Sequence, residues 1–165
     1  MSTIASTFSN SRNSLLRLSV IGGLIIGALH FVIQDWIVFG IWGNKLIPTM
    51  QYVASGAIGN AAFAGGIATA LLGMLFHFLM CIVIAGIFVV SADRIPLLRR
   101  YVIPGSLLYG VGVFIVMWFI VLPLSAAPPL PAPQIFQLIE GFVEHILLIG
   151  LPLGILVQRN VNANQ

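Results

Sequence analysis

Four long apolar runs leave this chain few ways to fold. Residues 15–39, 66–90, 101–121 and 135–157 are each rich enough in Leu, Ile, Val, Phe and Ala to be read as one helix through lipid. At about 1.5 Å of rise per residue, runs of this length match the roughly 30 Å hydrocarbon core of a bilayer. Of 165 residues, 59% are hydrophobic and 7% are Asp, Glu, Lys or Arg. Soluble domains carry about 25% charged residues. Seven cations and four anions cannot coat a soluble surface of this size. The predicted fold class is therefore all-α: an integral membrane four-helix bundle, in one domain.

The segments between the runs fill in the rest. Residues 1–14 read as a flexible, polar tail, and residues 160–165 as a second one. Arg12 and Arg17 ahead of an apolar run imitate a signal or transit peptide. The run is a full span, however, with no small-residue cleavage site closing a short core. Trp36, Phe39 and Trp42 suit the interface belt at its far end. Pro48 fits the first turn of a short helix over about 49–58, too short and polar to span, so interfacial or re-entrant. The apolar stretch that opens at Ala61 exceeds one span, and its small residues suggest tilt, a kink or tight packing. Residues 91–100 read as a charged loop around Pro96, and the third run stops at Pro123. Four prolines within 125–134 (Pro128, Pro129, Pro131, Pro133) predict a stiff connection without helix. Pro152 lies inside the fourth run, where it frees one backbone carbonyl.

Basic residues set the orientation. Arg12, Arg17, Arg94, Arg99, Arg100 and Arg159 fall on one side and Lys45 alone on the other. The positive-inside rule then puts both termini in the cytoplasm.

The polar residues within the runs carry what functional signal there is. His30, His77 and His145 sit one on each of the first, second and fourth runs. Counted from the cytoplasmic ends, His30 and His77 lie roughly 20 Å deep and His145 roughly 18 Å. Glu144 shares that level, while Gln34, Asp35 and Glu140 form a secondary polar set, with Asp35 and Glu140 nearer the outer surface. Gly23, Gly27, His30 and Gln34 fall on one stripe of the first helix. Gly66, Ala70, Gly73 and His77 form the matching stripe of the second, and Gly150 and Gly154 a small-residue pair on the fourth. Small residues let backbones approach in lipid, and ionisable groups avoid acyl chains, so these faces should turn inward. His30 and His77 are expected to face each other.

Several readings fit this cluster. The histidines can be neutral interhelical hydrogen-bonders, a proton or ion path, or ligands of a haem or metal. No motif selects a metal or a cofactor, and both stay unknown. Cys81, Met74, Met80 and Met117 read as core filling and Tyr101 as an interface anchor. Tyr109 is a hydrogen-bond donor without a nameable partner. A lone cysteine makes no disulfide framework. No nucleic-acid, phosphate-loop or zinc-knuckle motif is present, and no nucleophile–base pair argues for an enzyme.

The runs GNAAFAGGIATALLGMLFHF, PGSLLYGVGVFIVMWFIVLPLS and EHILLIGLPLGILVQR resemble a group of small uncharacterised bacterial integral membrane proteins. That resemblance implies four helices and an inner-membrane location, and carries no residue role. Two function classes compete: a small proton, ion or solute conduit, and a non-catalytic structural or assembly subunit. The expected surroundings are the lipid bilayer and a homo-oligomer or larger membrane complex, since four helices leave little room for a channel within one subunit.

Overall fold

The computed structural model describes residues 2–41, 43–129 and 135–163, with side chains placed from Asn13 to Val161 within those ranges. Trp42, Pro131, Pro133 and the Arg12 side chain, which entered the expectations above, lie outside the described residues. Among the described residues the chain is all-α, with no strand.

The first helix, α1, runs through Ser2–Leu29, a wide-turned π stretch His30–Val38 and a last turn Phe39–Ile41. Helix α2 is Leu46–Ile58, followed by a 3-10 turn Gly59–Ala64, and α3 is Gly66–Arg94. The short α4 is Pro96–Arg100. Helix α5 joins Val102–Val116, a π stretch Met117–Val121 and Leu122–Leu124. Helix α6 joins Ile135–Glu144, a π stretch His145–Gly150 and Leu151–Ala163. The helical stretches Asn13–Ile41, Gly66–Arg94, Val102–Leu124 and Ile135–Val161 are long and apolar enough to cross a membrane.

Two expectations change at the ends. The N-terminal tail is not a separate irregular segment, because helix α1 begins at Ser2 and no Gly or Pro interrupts it before Gly22. The charged loop 91–100 is mostly helical. Ser91–Arg94 has no breaker and extends α3; Ile95 then turns extended (φ −106, ψ 107), as the residue before a proline prefers, and Pro96 opens α4 at its first turn.

Small residues zip the spans together in antiparallel pairs. A Cβ on Gly23 would run into the Ile82 backbone, one on Gly27 would lie 2.7 Å from the Phe78 ring, and one on Gly86 meets Ser19. On the other side of the bundle, Gly110 lies against the His145 carbonyl and Gly150 against that of Ser106. Gly154 lies against the Ser106 side chain. Close backbone approach of this kind is how helices gain packing energy in lipid, where apolar side chains gain nothing by leaving the solvent. The two pairs, α1/α3 and α5/α6, share a core of Ile26, Ala85, Phe88, Val113, Ile149 and Leu153. The Tyr109 hydroxyl finds its partner across that seam, donating to the Ile84 carbonyl at 2.7 Å.

Outside and inside are inverted relative to a soluble protein. On α3, Leu71, Leu75, Leu79, Val83 and Ile87 form an exposed ridge at four-residue spacing. His77, His145, Gln34, Asp35 and Gln51 are buried. An exposed apolar wall of that extent marks a surface that meets lipid.

Helix α2 packs along the start of α3, burying Met50, Gln51, Ala54 and Ser55. The Gln51 amide donates to the Gly66 carbonyl at 3.0 Å, and Ala126 N–H donates to the Gly56 carbonyl at 3.0 Å. Gly73 faces this helix rather than α1: a Cβ on it would collide with the Met50 carbonyl. Gly66 packs on nothing. Its φ of +58 turns the chain into α3, and a Cβ there would meet no atom within 4 Å. Its place in the stripe is therefore conformational, not a helix contact.

Candidate functional site

Three spans bring their polar residues to one place, in the half of the bundle away from both termini. His30 opens the π stretch of α1, His77 sits in mid-α3, and Glu144 and His145 flank the start of the π stretch of α6. The His30 and His77 ring centroids are 5.3 Å apart, and those of His30 and His145 are 6.1 Å apart. Asp35 stands between the first two rings, its Oδ2 being 3.5 Å from His30 Nδ1 and 3.8 Å from His77 Nδ1. Glu144 Oε1 lies 3.4 Å from His30 Nε2 and 2.9 Å from His145 Nδ1.

Sequence spacing puts Asp35 apart from the histidines, nearer the outer surface; the structure brings it beside them, and the π turn is the reason. Five residues along an α-helix rotate a side chain about 140° away from the starting face. A π turn closes i→i+5, which carries the fifth residue back over the first. The π stretches of α5 and α6 each end two residues before a proline, Pro123 and Pro152. A proline ring clashes with the carbonyl four residues back, and widening the preceding turn relieves it. The α1 stretch contains no proline; its buried residues are Gln34 and Asp35.

Hydrogen bonds to backbone carbonyls fix the proton-bearing nitrogen of two of the three rings. His77 Nε2 is 3.1 Å from the Gly27 carbonyl, an acceptor only, so this nitrogen donates and Nδ1 keeps a lone pair in the neutral ring. His145 Nδ1 donates toward the Gly141 carbonyl at 2.7 Å and Glu144. His30 faces a carboxylate oxygen at each nitrogen, Glu144 at Nε2 and Asp35 at Nδ1. His30 Nδ1, His77 Nδ1 and Asp35 Oδ2 converge. His30 Nδ1, Asp35 Oδ2 and Glu144 Oε2 are buried with no hydrogen-bond partner among the described residues. No Lys or Arg occurs in residues 18–44, 46–93 or 101–158, so no fixed cation can balance the two carboxylates there.

The remaining polar residues continue the site toward the loop end. The Gln34 amide donates to Glu140, one helical turn before Glu144. In the opposite direction the core closes with Ile26, Phe88 and Leu153, all essentially inaccessible. Cys81 Sγ sits 3.9 Å from His77 Nε2, on the side away from Asp35's partner nitrogen. Rings as close as those of His30 and His77, both turned to one carboxylate, leave no slot between them for a porphyrin. Sequence reading overlooked Ser106 and Gly110, which hold α6 in place beneath the cluster; their small-xxx-small spacing on the third run was the signal.

Fold and site together define a multi-pass helical membrane protein with a buried histidine–carboxylate centre. Against family models, curated proteins and solved structures, the chain has no match.

A cysteine pair at positions 30 and 77, in a Cys81→Ser background, should join by oxidation or a short bifunctional reagent in membranes. Failure of that pair while a loop-proximal control pair reacts would separate the two histidines.

Proposed function

We propose that this protein is a small cation conduit of a bacterial inner membrane, with the His30–Asp35–His77–Glu144 centre as its binding station. The observation that carries this reading is the approach of Asp35 Oδ2 to both His30 Nδ1 and His77 Nδ1, where Asp35 Oδ2 and His30 Nδ1 are buried with no hydrogen-bond partner among the described residues. Unpaired acceptors in a low-dielectric interior are costly, and a positive ion or proton is what relieves them. Gln34 and Glu140 continue the polar residues toward one end of the bundle, while Ile26, Phe88 and Leu153 close the core in the other direction. Transport accordingly needs an opening motion of that seal or a path between subunits of an oligomer. A purely structural role accounts for the bonds from His77 and His145 to backbone carbonyls, but leaves the Asp35 side of both rings unexplained.

The test is cation flux into liposomes carrying the purified protein, read under an imposed potential with a pH-sensitive dye for protons and a metal-sensitive dye for divalent ions. Asp35→Asn should reduce the flux to that of protein-free liposomes. Flux equal to the unsubstituted protein's would remove Asp35, and with it this reading.

Both termini are assigned to the cytoplasm on the six-to-one distribution of basic residues. Cysteines introduced in the N-terminal tail, at Ala127 and at Ala163 should label in intact cells only at 127. Labelling of either tail with protection of 127 would invert the topology.

A further inference from the structure

We propose that the cation held at this centre is a divalent transition-metal ion of the zinc class, ligated by His30 Nδ1, His77 Nδ1 and Asp35 Oδ2. This rests on the reading of the cluster as a cation site and names its occupant. One donor atom from each of the three residues lies within 4.8 Å of the other two. The separations from Asp35 Oδ2, 3.5 and 3.8 Å, are too long for N–H···O hydrogen bonds, which run about 2.7–3.2 Å. They are close to the edge of a tetrahedron with metal–ligand bonds of about 2.0–2.1 Å, which is about 3.3–3.4 Å. A contraction of a few tenths of an ångström closes these two edges, and the third, between the histidine nitrogens, lies within 4.8 Å.

The outer contacts are those a metal site needs. A ligating histidine generally gives its other ring N–H to a carbonyl or carboxylate, which fixes the tautomer and aims the lone pair. His77 does this with the Gly27 carbonyl at 3.1 Å; His30 Nε2 faces Glu144 Oε1 at 3.4 Å, a separation that must shorten to make the same bond. Glu144 is itself held by His145 at 2.9 Å. The orphaned atoms are an independent pointer: His30 Nδ1 and Asp35 Oδ2, two of the three ligand atoms, are buried without a partner among the described residues, and Asp35 is only 6% exposed.

Ligand chemistry then narrows the ion. Two imidazoles and one carboxylate suit zinc, iron, cobalt or nickel, whereas calcium and magnesium select oxygen ligands. A proton relieves one acceptor pair and leaves the third atom bare; a metal relieves all three. A dication also neutralises the Asp35 and Glu144 carboxylates together, which a bilayer interior favours. Three protein ligands leave a fourth position for water or an incoming group.

The experiment uses the full chain purified in detergent, stripped with a chelator and titrated with Co²⁺, then with Zn²⁺ as competitor. The expected result is one metal per chain, with tetrahedral cobalt absorption that zinc abolishes. Affinity should fall at least about 100-fold in Asp35→Asn and in His77→Gln. It should fall about 10–100-fold in Glu144→Gln, whose contact is to the ligand and not the metal, and stay unchanged in Cys81→Ala. His30→Gln replaces either ligand variant if one of them does not fold, as judged by gel filtration. Folded protein that takes up no Co²⁺, or takes it up equally after loss of Asp35 or a histidine, overturns the metal site. Proton flux that depends on Asp35 without metal binding would leave the conduit reading standing and remove the metal. Stoichiometric metal binding without flux of any cation would do the reverse.

Discussion

Replacing Gly73 with leucine is expected to cost about 3 kcal/mol or more, at or beyond the upper end of what overpacking typically does. Ordinary overpacking meets the far end of a flexible side chain, which can turn aside. At Gly73 the obstruction is backbone: the first added carbon already collides with the Met50 carbonyl and lies 3.1 Å from the Ala54 nitrogen. Helix α2 must therefore move away from α3. That motion breaks the Gln51 bond to the Gly66 carbonyl and pulls on the Ala126 bond to Gly56. Alanine should bring much of the same loss, because the collision begins at Cβ. Gly112→Ala, where a Cβ meets nothing within 4 Å, is the silent control. Yield and melting temperature in detergent decide it. A Gly73→Leu protein as stable as the parent would mean that α2 does not sit on this face.

The bundle was readable because lipid imposes a simple rule: each apolar run must satisfy its own backbone, and only a helix does so in one strand of chain. The level of His30 and His77 was readable too, since rise per residue is constant; counting put them at one depth, and their rings lie 5.3 Å apart. What counting could not supply was rotation. Asp35 belongs beside His30 only because a π turn replaces an α turn, and no residue type in 30–38 announces that change. Partner choice was equally hidden. Gly73 sits on the same stripe as His77, yet it packs on α2, because a short helix that cannot span fills the space beside the start of α3. Gly66 shows the remaining ambiguity of glycine: the residue that permits a close helix contact also permits a positive φ, and sequence spacing does not separate the two.

The second large effect is expected at Gly110, where fold and centre are joined. A Cβ there would lie 2.7 Å from the His145 carbonyl and 3.1 Å from Ile146 Cα, so a leucine forces α5 and α6 apart at the level of the cluster. The stability loss should be about 1–3 kcal/mol. The functional loss should be larger in proportion, because Glu144 moves with α6. Its Oε1 is already 3.4 Å from His30 Nε2, at the edge of hydrogen-bond reach, and a further shift of about 1 Å takes it out. The α1/α3 contact does not involve α5, since Gly23 and Gly27 rest on Ile82 and Phe78. Cysteines at 30 and 77 should therefore still cross-link in the Gly110→Leu, Cys81→Ser background. Cation flux through liposomes carrying Gly110→Leu alone should fall sharply. Lost cross-linking would mean that the four spans give way as one unit and that Gly110 reports on the whole fold. Intact flux in a destabilised protein would mean that the α6 carboxylate takes no part in cation handling, leaving His30, His77 and Asp35 as the working centre.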